Sequence, residues 1–571
     1  MQVKNAIAHT RKYLQHSYSD ERLLLQYLQT LQNLNQNISA SDLQSLENLT
    51  GIPVYAARQV IDFYSFLTYE DPVSYRILVS DNIVDQYQGS RELMRWFKQH
   101  LDDRHVAVGT TSCIGLSDLG PGILVNGRLI SRVTESRRES IRQLIQTRTP
   151  LSAWPAEFFQ VNHPIRKSGL LLDDQQPGGT ALAAFSDYEP EQALQTIQDS
   201  GLRGRGGAGF STATKWRFCR QETADSKVVI CNADEGEPGT FKDYVLLKDK
   251  INLVIEGMII AAKIINADKG FIYLRGEYLT LMPHIYRALE SYRSQGWLSG
   301  SFDIDIHLGA GAYICGEESA LIESLEGKPG IPRNRPPFPV NSGYCGLPTI
   351  VNNVETFANV SLIFIYGAEH YRQHGSKNSS GTKVLSVSGD CRHPGIYELS
   401  FGTRLSELLQ MAGATEVQAV QIGGAAGHLI KPEHFGRRFD FDDLATAGAV
   451  MIFNQQRKLL DVASNFADFF VHESCGFCTP CRVGTTVQSK ILHRFQHHKA
   501  AAQDHDNLQK LVQLLKASSH CGLGSSAGWI SESLLNDFPE VFNLPDNEQA
   551  SAAFFDIDTA LLEARNLAGH Q

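Results

Sequence analysis

Four cysteines offer the plainest chemistry in this chain. Cys475, Cys478 and Cys481 stand in ESCGFCTPCRVGT as C-x2-C-x2-C, and Cys521 follows after thirty-nine intervening residues in SHCGLGS. Three thiolates so spaced fold round one corner of a metal cluster and the distant fourth closes it, the pattern of iron–sulfur ligation and most simply of [4Fe–4S]. Four cysteines also suit tetrahedral zinc, although structural zinc normally uses two paired knuckles and three crowd one side here. A second reactive stretch is residues 201–210, GLRGRGGAGF, with five glycines and the cations Arg203 and Arg205. Residues without Cβ let backbone N–H groups close on a flat or anionic ligand, and arginine brings permanent charge for phosphate. Gly204-x-Gly206-x-x-Gly209 fits the dinucleotide fingerprint, but that fingerprint needs a strand before it. What precedes it, EPEQALQTIQDS at 189–200, has the apolar spacing of a helix, so the ordinary Rossmann context fails.

Other stretches suit the same kind of ligand. KVVIC runs into NADEGEP at 232–238, a carboxylate-rich turn at a strand end that suits ribityl or ribose hydroxyls. GAGAYICGEESAL at 309–321 puts glycines and then Glu317 and Glu318 at a helix start, where carboxylates favour the dipole. PRNRPPFP at 332–339 is rigid, basic and aromatic-bearing, and VNNVET at 351–356 supplies amides and a hydroxyl for a phosphate.

Bulk composition narrows the class. At 571 residues the chain is too long for one core, and three to five domains are expected. A net charge of −10 argues against a nucleic-acid partner. The longest apolar run, 253–265, is broken by Glu256 and Lys263 and reads as a buried helix, so no membrane insertion is expected. The first residues show neither a signal-peptide core nor a twin-arginine pair, which predicts a cytoplasmic protein. Ten cysteines without framework spacing fit a reducing compartment, with Cys219, Cys231, Cys315, Cys345 and Cys391 as small buried hydrophobes.

The elements that must hold these residues follow from periodicity, and the predicted class is multidomain α/β. Residues 1–70 read as a helical segment. Residues 71–150 read as a small α/β unit with strands at 75–79, 105–108 and 122–125. Prolines and glycines make 151–185 a linker. Residues 186–380 form a larger α/β domain with buried strands at 227–231, 270–274 and 303–307. A β-rich module at 381–455 carries a helix at 405–411, and 456–571 is helical.

Taken together, GLRGRGGAGF, CNADEGEPGTF, GAYICGEESALIESLEGKPG, PPFP, NNVET and CGFCTPCRVG resemble the NADH-oxidising flavoprotein subunit of respiratory complex I and its relatives in NAD-linked hydrogenases and formate dehydrogenases. The resemblance spans roughly residues 186–540. It implies a Rossmann-like FMN domain, a ubiquitin-like β-grasp module, and a helical bundle carrying the cluster on Cys475, Cys478, Cys481 and Cys521. It also implies hydride exchange between NAD(H) and FMN followed by one-electron transfer. Gly204, Arg205, Gly206, Gly207 and Lys215 would then embrace isoalloxazine and phosphate. Asn232, Asp234 and Glu235 would bind the ribityl chain, and Asn352, Asn353 and Thr356 the phosphate. Tyr313, Gly316 and Glu317 would complete the pocket. Phe210, Phe218 and Phe338 would sandwich adenine, Arg335 would reach a phosphate, and Glu237 and Glu318 would face the nicotinamide end.

The N-terminal part resembles the thioredoxin-like partner that normally carries [2Fe–2S]. Aligning GIPVYAARQVIDFY, YRILVS and CIGLSDLGPGILVNG puts Ser80, Asp85, Cys113 and Ser117 at its four ligand places, so no [2Fe–2S] is expected there. A fused, cluster-less domain of this kind is similar to that of the diaphorase subunit of cytoplasmic NAD-reducing nickel–iron hydrogenases. The partners implied are a ferredoxin-like iron–sulfur subunit and a hydrogenase module. Complex I, formate dehydrogenase and an electron-transfer scaffold without nucleotide turnover remain as alternatives.

Overall fold

The computed structural model describes residues 2–14, 19–101 and 104–543; the end of the helical stretch expected at 456–571 lies outside them. Among the described residues the strands are β1 Tyr75–Ser80, β2 Val106–Thr111, β3 Ile123–Val125, β4 Arg128–Ile130, β5 Ile165–Lys167, β6 Val228–Ala233, β7 Lys269–Leu274, β8 Asp303–Leu308, β9 Thr349–Asn353, β10 Thr382–Gly389, β11 Gly395–Ser400, β12 Val417–Ile422, β13 His428–Ile430 and β14 Ala449–Asn454. They form three sheets, ordered β2-β1-β3-β4, β8-β7-β6-β9, and β13-β12-β14-β10-β11-β5.

The central sheet is wholly parallel. Its strands alternate between two cores, as the period of two requires when both faces are buried. Val229, Cys231, Ile272 and Leu274 join the core with helices Ile251–Ile265 and Val354–Tyr366. Val228, Ile230, Phe271 and Tyr273 join the other core with Tyr27, Leu28 and Leu31 of helix Leu24–Asn35 and with helix Glu318–Leu325. The N-terminal helices are therefore the cover of one sheet face. Gln26 and Gln29 secure them by donating to the carbonyls of Leu308 (3.0 Å) and Gly309 (2.7 Å), and the Tyr64 hydroxyl donates to Ser324 (2.7 Å). Each such apolar side chain contributes roughly 1.5–3 kcal/mol on burial.

Residues 151–185, expected as a linker, are built into the fold. β5 pairs with β11, and buried Glu398 on β11 accepts from the backbone N–H groups of Leu171 (2.8 Å) and Leu172 (2.7 Å). Prolines broke the periodicity without preventing an edge strand, where a missing donor is tolerated. Glu256, which interrupts the apolar run, is buried and accepts from Gly179 N (2.7 Å), Ala181 N (2.9 Å) and the Tyr292 hydroxyl (2.6 Å), anchoring helix Thr180–Phe185. In the third sheet β10 and β11 form an antiparallel pair, β14 lies parallel to β10, and helix Leu405–Met411 packs on the shared core. The C-terminal helices are Leu459–Glu473, Thr479–Gln496, Ala502–Ser518, Gly522–Ser526 and Trp529–Asp537. No helix among the described residues is long and apolar enough to cross a membrane.

Helices Ile251–Ile265 and Val354–Tyr366 meet at Gly257, where an added Cβ would lie 2.1 Å from the Phe357 carbonyl oxygen. Backbone cannot yield as a flexible side chain can. Gly257→Ala is expected to destabilise the chain by roughly 1–3 kcal/mol or more, read as a fall in the thermal unfolding midpoint; an unchanged midpoint would refute this close approach.

Candidate functional site

Both faces of the parallel sheet are covered, so its open end is the C-terminal edge, the place where open α/β sheets take ligands. There β6 and β9 run side by side, with Cys231 beside Asn352 and Asn232 beside Asn353. The glycine-rich loop lies against the β9 end. Gly201 is the left-handed cap (φ 70°) of helix Pro190–Ser200, so the loop proper starts after it. The Arg205 backbone N–H donates to Thr356 Oγ1 (2.9 Å), and a Cβ on Gly206 would stand 3.3 Å from the Asn353 Cβ. Across the edge, Asn232 Nδ2 donates to the Gly316 carbonyl (2.9 Å), Gly316 faces the Asp234 carbonyl, and Gly236 lies against Tyr313. Lys215 joins the halves, donating to Glu318 Oε2 (2.7 Å) and to the Val351 carbonyl (2.8 Å).

Burial raises two carboxylates here, Asp234 and Glu237. Asp234 is pushed up to about 8 and its Oδ2 has no hydrogen-bond partner among the described residues. Glu237 is pushed up to about 7, against the Tyr313 hydroxyl (2.6 Å) and Ala426 N (3.0 Å), which donate to it. Glu317 caps helix Glu318–Leu325 by accepting from Ser319 N and Ala320 N (both 3.0 Å), and its Oε1 faces Arg335 at 3.4 Å. The orphaned Asp234 oxygen beside an edge lined by glycines is what a hydroxyl-rich flat ligand such as FMN would satisfy.

Three aromatic rings stand exposed at this mouth's elements: Phe210 (54%), Phe218 (47%) and Phe338 (49%). Phe218 lies on helix Thr212–Gln221 and Phe338 caps Pro339–Ser342; the two elements pack together, with Asn341 Nδ2 donating to Glu222 (2.7 Å).

Two expected ligand contacts are corrected. The Arg205 guanidinium is fully buried away from the loop's open side. It donates to Tyr371 Oη and the Ser380 carbonyl (both 2.7 Å) and lies over the Phe401 ring. Glu235 is also turned inward, accepting from Asp243 N (2.9 Å), Tyr244 N (3.3 Å) and Tyr278 Oη (2.9 Å). Internal acceptors claimed the Arg205 guanidinium and internal donors claimed the Glu235 carboxylate. Asn352 Oδ1 is likewise taken, by the Trp216 indole N–H (2.9 Å).

Four groups beneath the loop were not expected from the sequence: Lys242, Asp243, Glu355 and Lys383. Asn353 Nδ2 donates to Asp243 (2.7 Å), and Lys383 Nζ donates to the Arg205 carbonyl (3.0 Å). Lys242 and Asp243 directly follow CNADEGEPGTF and Glu355 lies within NNVET, so position could have flagged three of them; nothing in the sequence marked Lys383.

Cys475, Cys478, Cys481 and Cys521 line one cavity with Ile314, Pro332, Ser474, Phe477, His520 and Leu523. Cys478 caps helix Thr479–Gln496 and Cys481 lies in its first turn, while Cys521 caps Gly522–Ser526, so helix N-termini would face an anionic cluster held there. Burial raises the thiols of Cys475, Cys481 (to about 11) and Cys521, which a cationic metal would reverse. The donor set and the shared cavity fit an iron–sulfur cluster. Among the described residues, no group of three or more Cys, His, Asp or Glu is arranged to hold a single ion. The cavity and the ligand edge share one wall: in the turn Tyr313–Gly316, Ile314 faces the cysteines while Tyr313 and Gly316 face Glu237 and Asn232.

Ser80, Asp85, Cys113 and Ser117 also converge, all buried. Asp85 is hydrogen-bonded to Ser80 and Ser117, and Cys113 Sγ lies 3.7 Å from Ser117 Oγ. Gly239 N donates to Cys113 Sγ (3.4 Å), and Arg275 donates to the Cys113 carbonyl (2.7 Å) and to the Glu235 carbonyl, joining this plug to the NADEGEP turn.

Known proteins share these features. Residues 197–362 match the family described as the Nuo51 FMN-binding domain, residues 461–544 the NADH-ubiquinone oxidoreductase-F iron-sulfur binding region, and residues 10–147 the thioredoxin-like [2Fe-2S] ferredoxin family. The chain is 42% identical over 538 residues to the NAD-reducing hydrogenase HoxS subunit alpha of Cupriavidus necator, covering 88% of this chain and 89% of that protein. It is 40% identical over 388 residues to an NADH-quinone oxidoreductase subunit of Aquifex aeolicus, covering 66% of this chain and 90% of that protein. A crystal structure of NAD+-reducing [NiFe]-hydrogenase in the H2-reduced state contains a chain that superposes with a TM-score of 0.88 at 40% identity, covering 96% of this chain and 97% of that one. With motifs, fold and near full-length identity in agreement, the chain belongs to the family of the alpha subunit of NAD-reducing hydrogenases.

Proposed function

We propose that this chain is the diaphorase subunit of an NAD-reducing hydrogenase, exchanging hydride between NAD(H) and FMN and passing electrons singly through one [4Fe–4S] cluster. The observation that carries it is the turn Tyr313–Gly316, common to the flavin edge and the cysteine cavity. Bound FMN would supply hydride exchange with the nicotinamide and conversion of two-electron to one-electron transfer. The chain's residues bind and orient. Gly204, Gly206 and Gly207 present backbone to the flavin, with Lys215 beside them. Asn232 and Asp234 meet the ribityl chain, and Asn353 and Thr356 stand at the phosphate end. Phe210, Phe218 and Phe338 offer π-faces to adenine, Arg335 faces a nucleotide phosphate, and Glu237 and Glu318 flank the nicotinamide end.

A hydrogenase partner is favoured over complex I by length: the Aquifex relative corresponds to 66% of this chain, whereas the HoxS relative corresponds to 88% and includes an N-terminal counterpart. Nickel chemistry would reside on another chain, reached through a ferredoxin-like iron–sulfur subunit. A reducing, cytoplasmic setting suits the ligand thiols. In the thioredoxin-like domain Ser80, Asp85 and Ser117 are hard oxygen donors where a cluster is normally held by thiolates, so the domain is structural and carries no [2Fe–2S].

Serine at Cys475, Cys478, Cys481 or Cys521 is expected to abolish the cluster's EPR signal and electron exit while NADH still bleaches the flavin. A folded variant that no longer bleaches would contradict this division of labour. The chain should hold about four irons per FMN and not about six; iron analysis finding six, with a [2Fe–2S] EPR signal, would restore the second cluster. Glu237, raised to about 7, is neutral below that pH and anionic above it, so NADH binding should weaken as pH rises through 7. Glu237→Gln is expected to bind NADH several-fold more tightly at pH 8 and to flatten that profile, and an unchanged dissociation constant would remove Glu237 from the site.

A further inference from the structure

Beneath the glycine-rich loop, two lysines and two carboxylates are sealed from water at the junction of the flavin domain and the 381–455 module. Lys242, Asp243, Glu355 and Lys383 are each at most 2% exposed. Lys383 comes from β10, Glu355 from the first turn of helix Val354–Tyr366, and Lys242 and Asp243 open helix Lys242–Asp249. Lys383 Nζ and Lys242 Nζ both reach Glu355 Oε2, at 2.5 and 3.1 Å, and Lys242 also pairs with Asp243.

We propose that Lys383 is a positioning residue of the flavin site, acting through this ion cluster to hold the glycine-rich loop in its ligand-binding form. It rests on the assignment of that loop to FMN. The Arg205 residue is fixed on both sides: its N–H donates to Thr356 Oγ1 (2.9 Å) and its carbonyl accepts from Lys383 Nζ (3.0 Å). That clamp sets the orientation of the following N–H groups, those of Gly206 and Gly207. Glycines have no side chain to restrain them, so an external restraint is what such a loop needs. At the phosphate end Asn353 is held in the same way. It donates to Asp243 (2.7 Å), and Lys242 Nζ approaches its Oδ1 at 3.5 Å.

Fold stability alone explains the cluster poorly. Replacing a buried ion pair with apolar groups is often neutral or stabilising, because desolvation offsets the attraction. Charge is matched within the cluster: Lys242, Lys383 and Arg205 are set against Glu355, Asp243 and Glu235, so what it lends the loop is a fixed arrangement of partners. Burial and the neighbouring Lys242 and Arg205 already pull the Lys383 amine down to about 7 despite Glu355, so an anionic ligand opposite would strengthen its charge.

The test compares Lys383→Met, which leaves Glu355 short of one partner, with the charge-balanced Lys383→Met/Glu355→Gln. Each full-length chain is stripped of FMN, melted, and titrated with FMN by fluorescence quenching; the flavin midpoint potential is then measured. We expect the double variant to melt within a few degrees of wild type yet bind FMN at least tenfold more weakly. Lys383→Met should lower the flavin potential by about 30 mV for each tenfold loss of preference for the reduced form, a two-electron couple. Wild-type FMN affinity in the double variant would overturn the inference alone. A weakened affinity matched by an equal loss of stability in the stripped chain would also overturn it, by showing that the cluster serves only the fold. A wild-type chain that takes up no FMN would overturn the flavin assignment and this inference with it.

Discussion

A parallel sheet buries both its faces, and most of this molecule follows from that requirement. Helices Ile251–Ile265 and Val354–Tyr366 cover one side, and helix Glu318–Leu325 together with the N-terminal helices covers the other. At the C-terminal edge the glycine-rich loop, the NADEGEP turn and the Tyr313–Gly316 turn converge. The cysteine-bearing bundle then abuts the same edge. Its His520 ring nitrogen lies 3.3 Å from the Pro332 carbonyl and 3.2 Å from the Arg333 carbonyl, in the proline-rich segment.

Burial shapes the charges at this edge. Beneath the loop, Lys242, Lys383 and Arg205 are gathered with Glu355, Asp243 and Glu235 into one sealed network. At the opposite end Asp234 and Glu237 are desolvated and pushed up to about 8 and 7, so that end carries acids whose charge is withheld or balanced near neutrality. The same low dielectric produces both effects: it makes paired cations costly yet strong, and it favours the neutral form of an isolated carboxyl.

The thioredoxin-like domain separates architecture from chemistry. Ser80, Asp85, Cys113 and Ser117 still meet in one buried place, tied to the flavin domain through Cys113, Gly239 and Arg275. With one cysteine the place closes by hydrogen bonding instead. Asp85, raised to about 6 by burial, is braced by serine hydroxyls, while its Oδ1 keeps no hydrogen-bond partner among the described residues.

Sequence alone determined whatever depends on local spacing and residue type. The C-x2-C-x2-C run with Cys521 announced a metal centre, apolar periodicity located three of the four central strands within a residue or two while β9 went unmarked, and the glycine-rich and NADEGEP motifs marked the edge where ligand chemistry belongs. Tertiary structure decided what depends on competition for partners. Arg205 and Glu235 stand in the right motifs, yet their side chains were claimed by Tyr371, Ser380, Tyr278 and the start of helix Lys242–Asp249. The described helices before residue 70 became the cover of a sheet and 151–185 gained a strand, because apolar faces and unpaired edges are filled by whatever segment reaches them. Lys383 was invisible for the same reason: a lone lysine in a β-strand has no signature until folding brings Glu355 and the Arg205 carbonyl to its amine. Spacing along the chain is local information, whereas the owner of a buried charge is settled by distant residues that exclude water together.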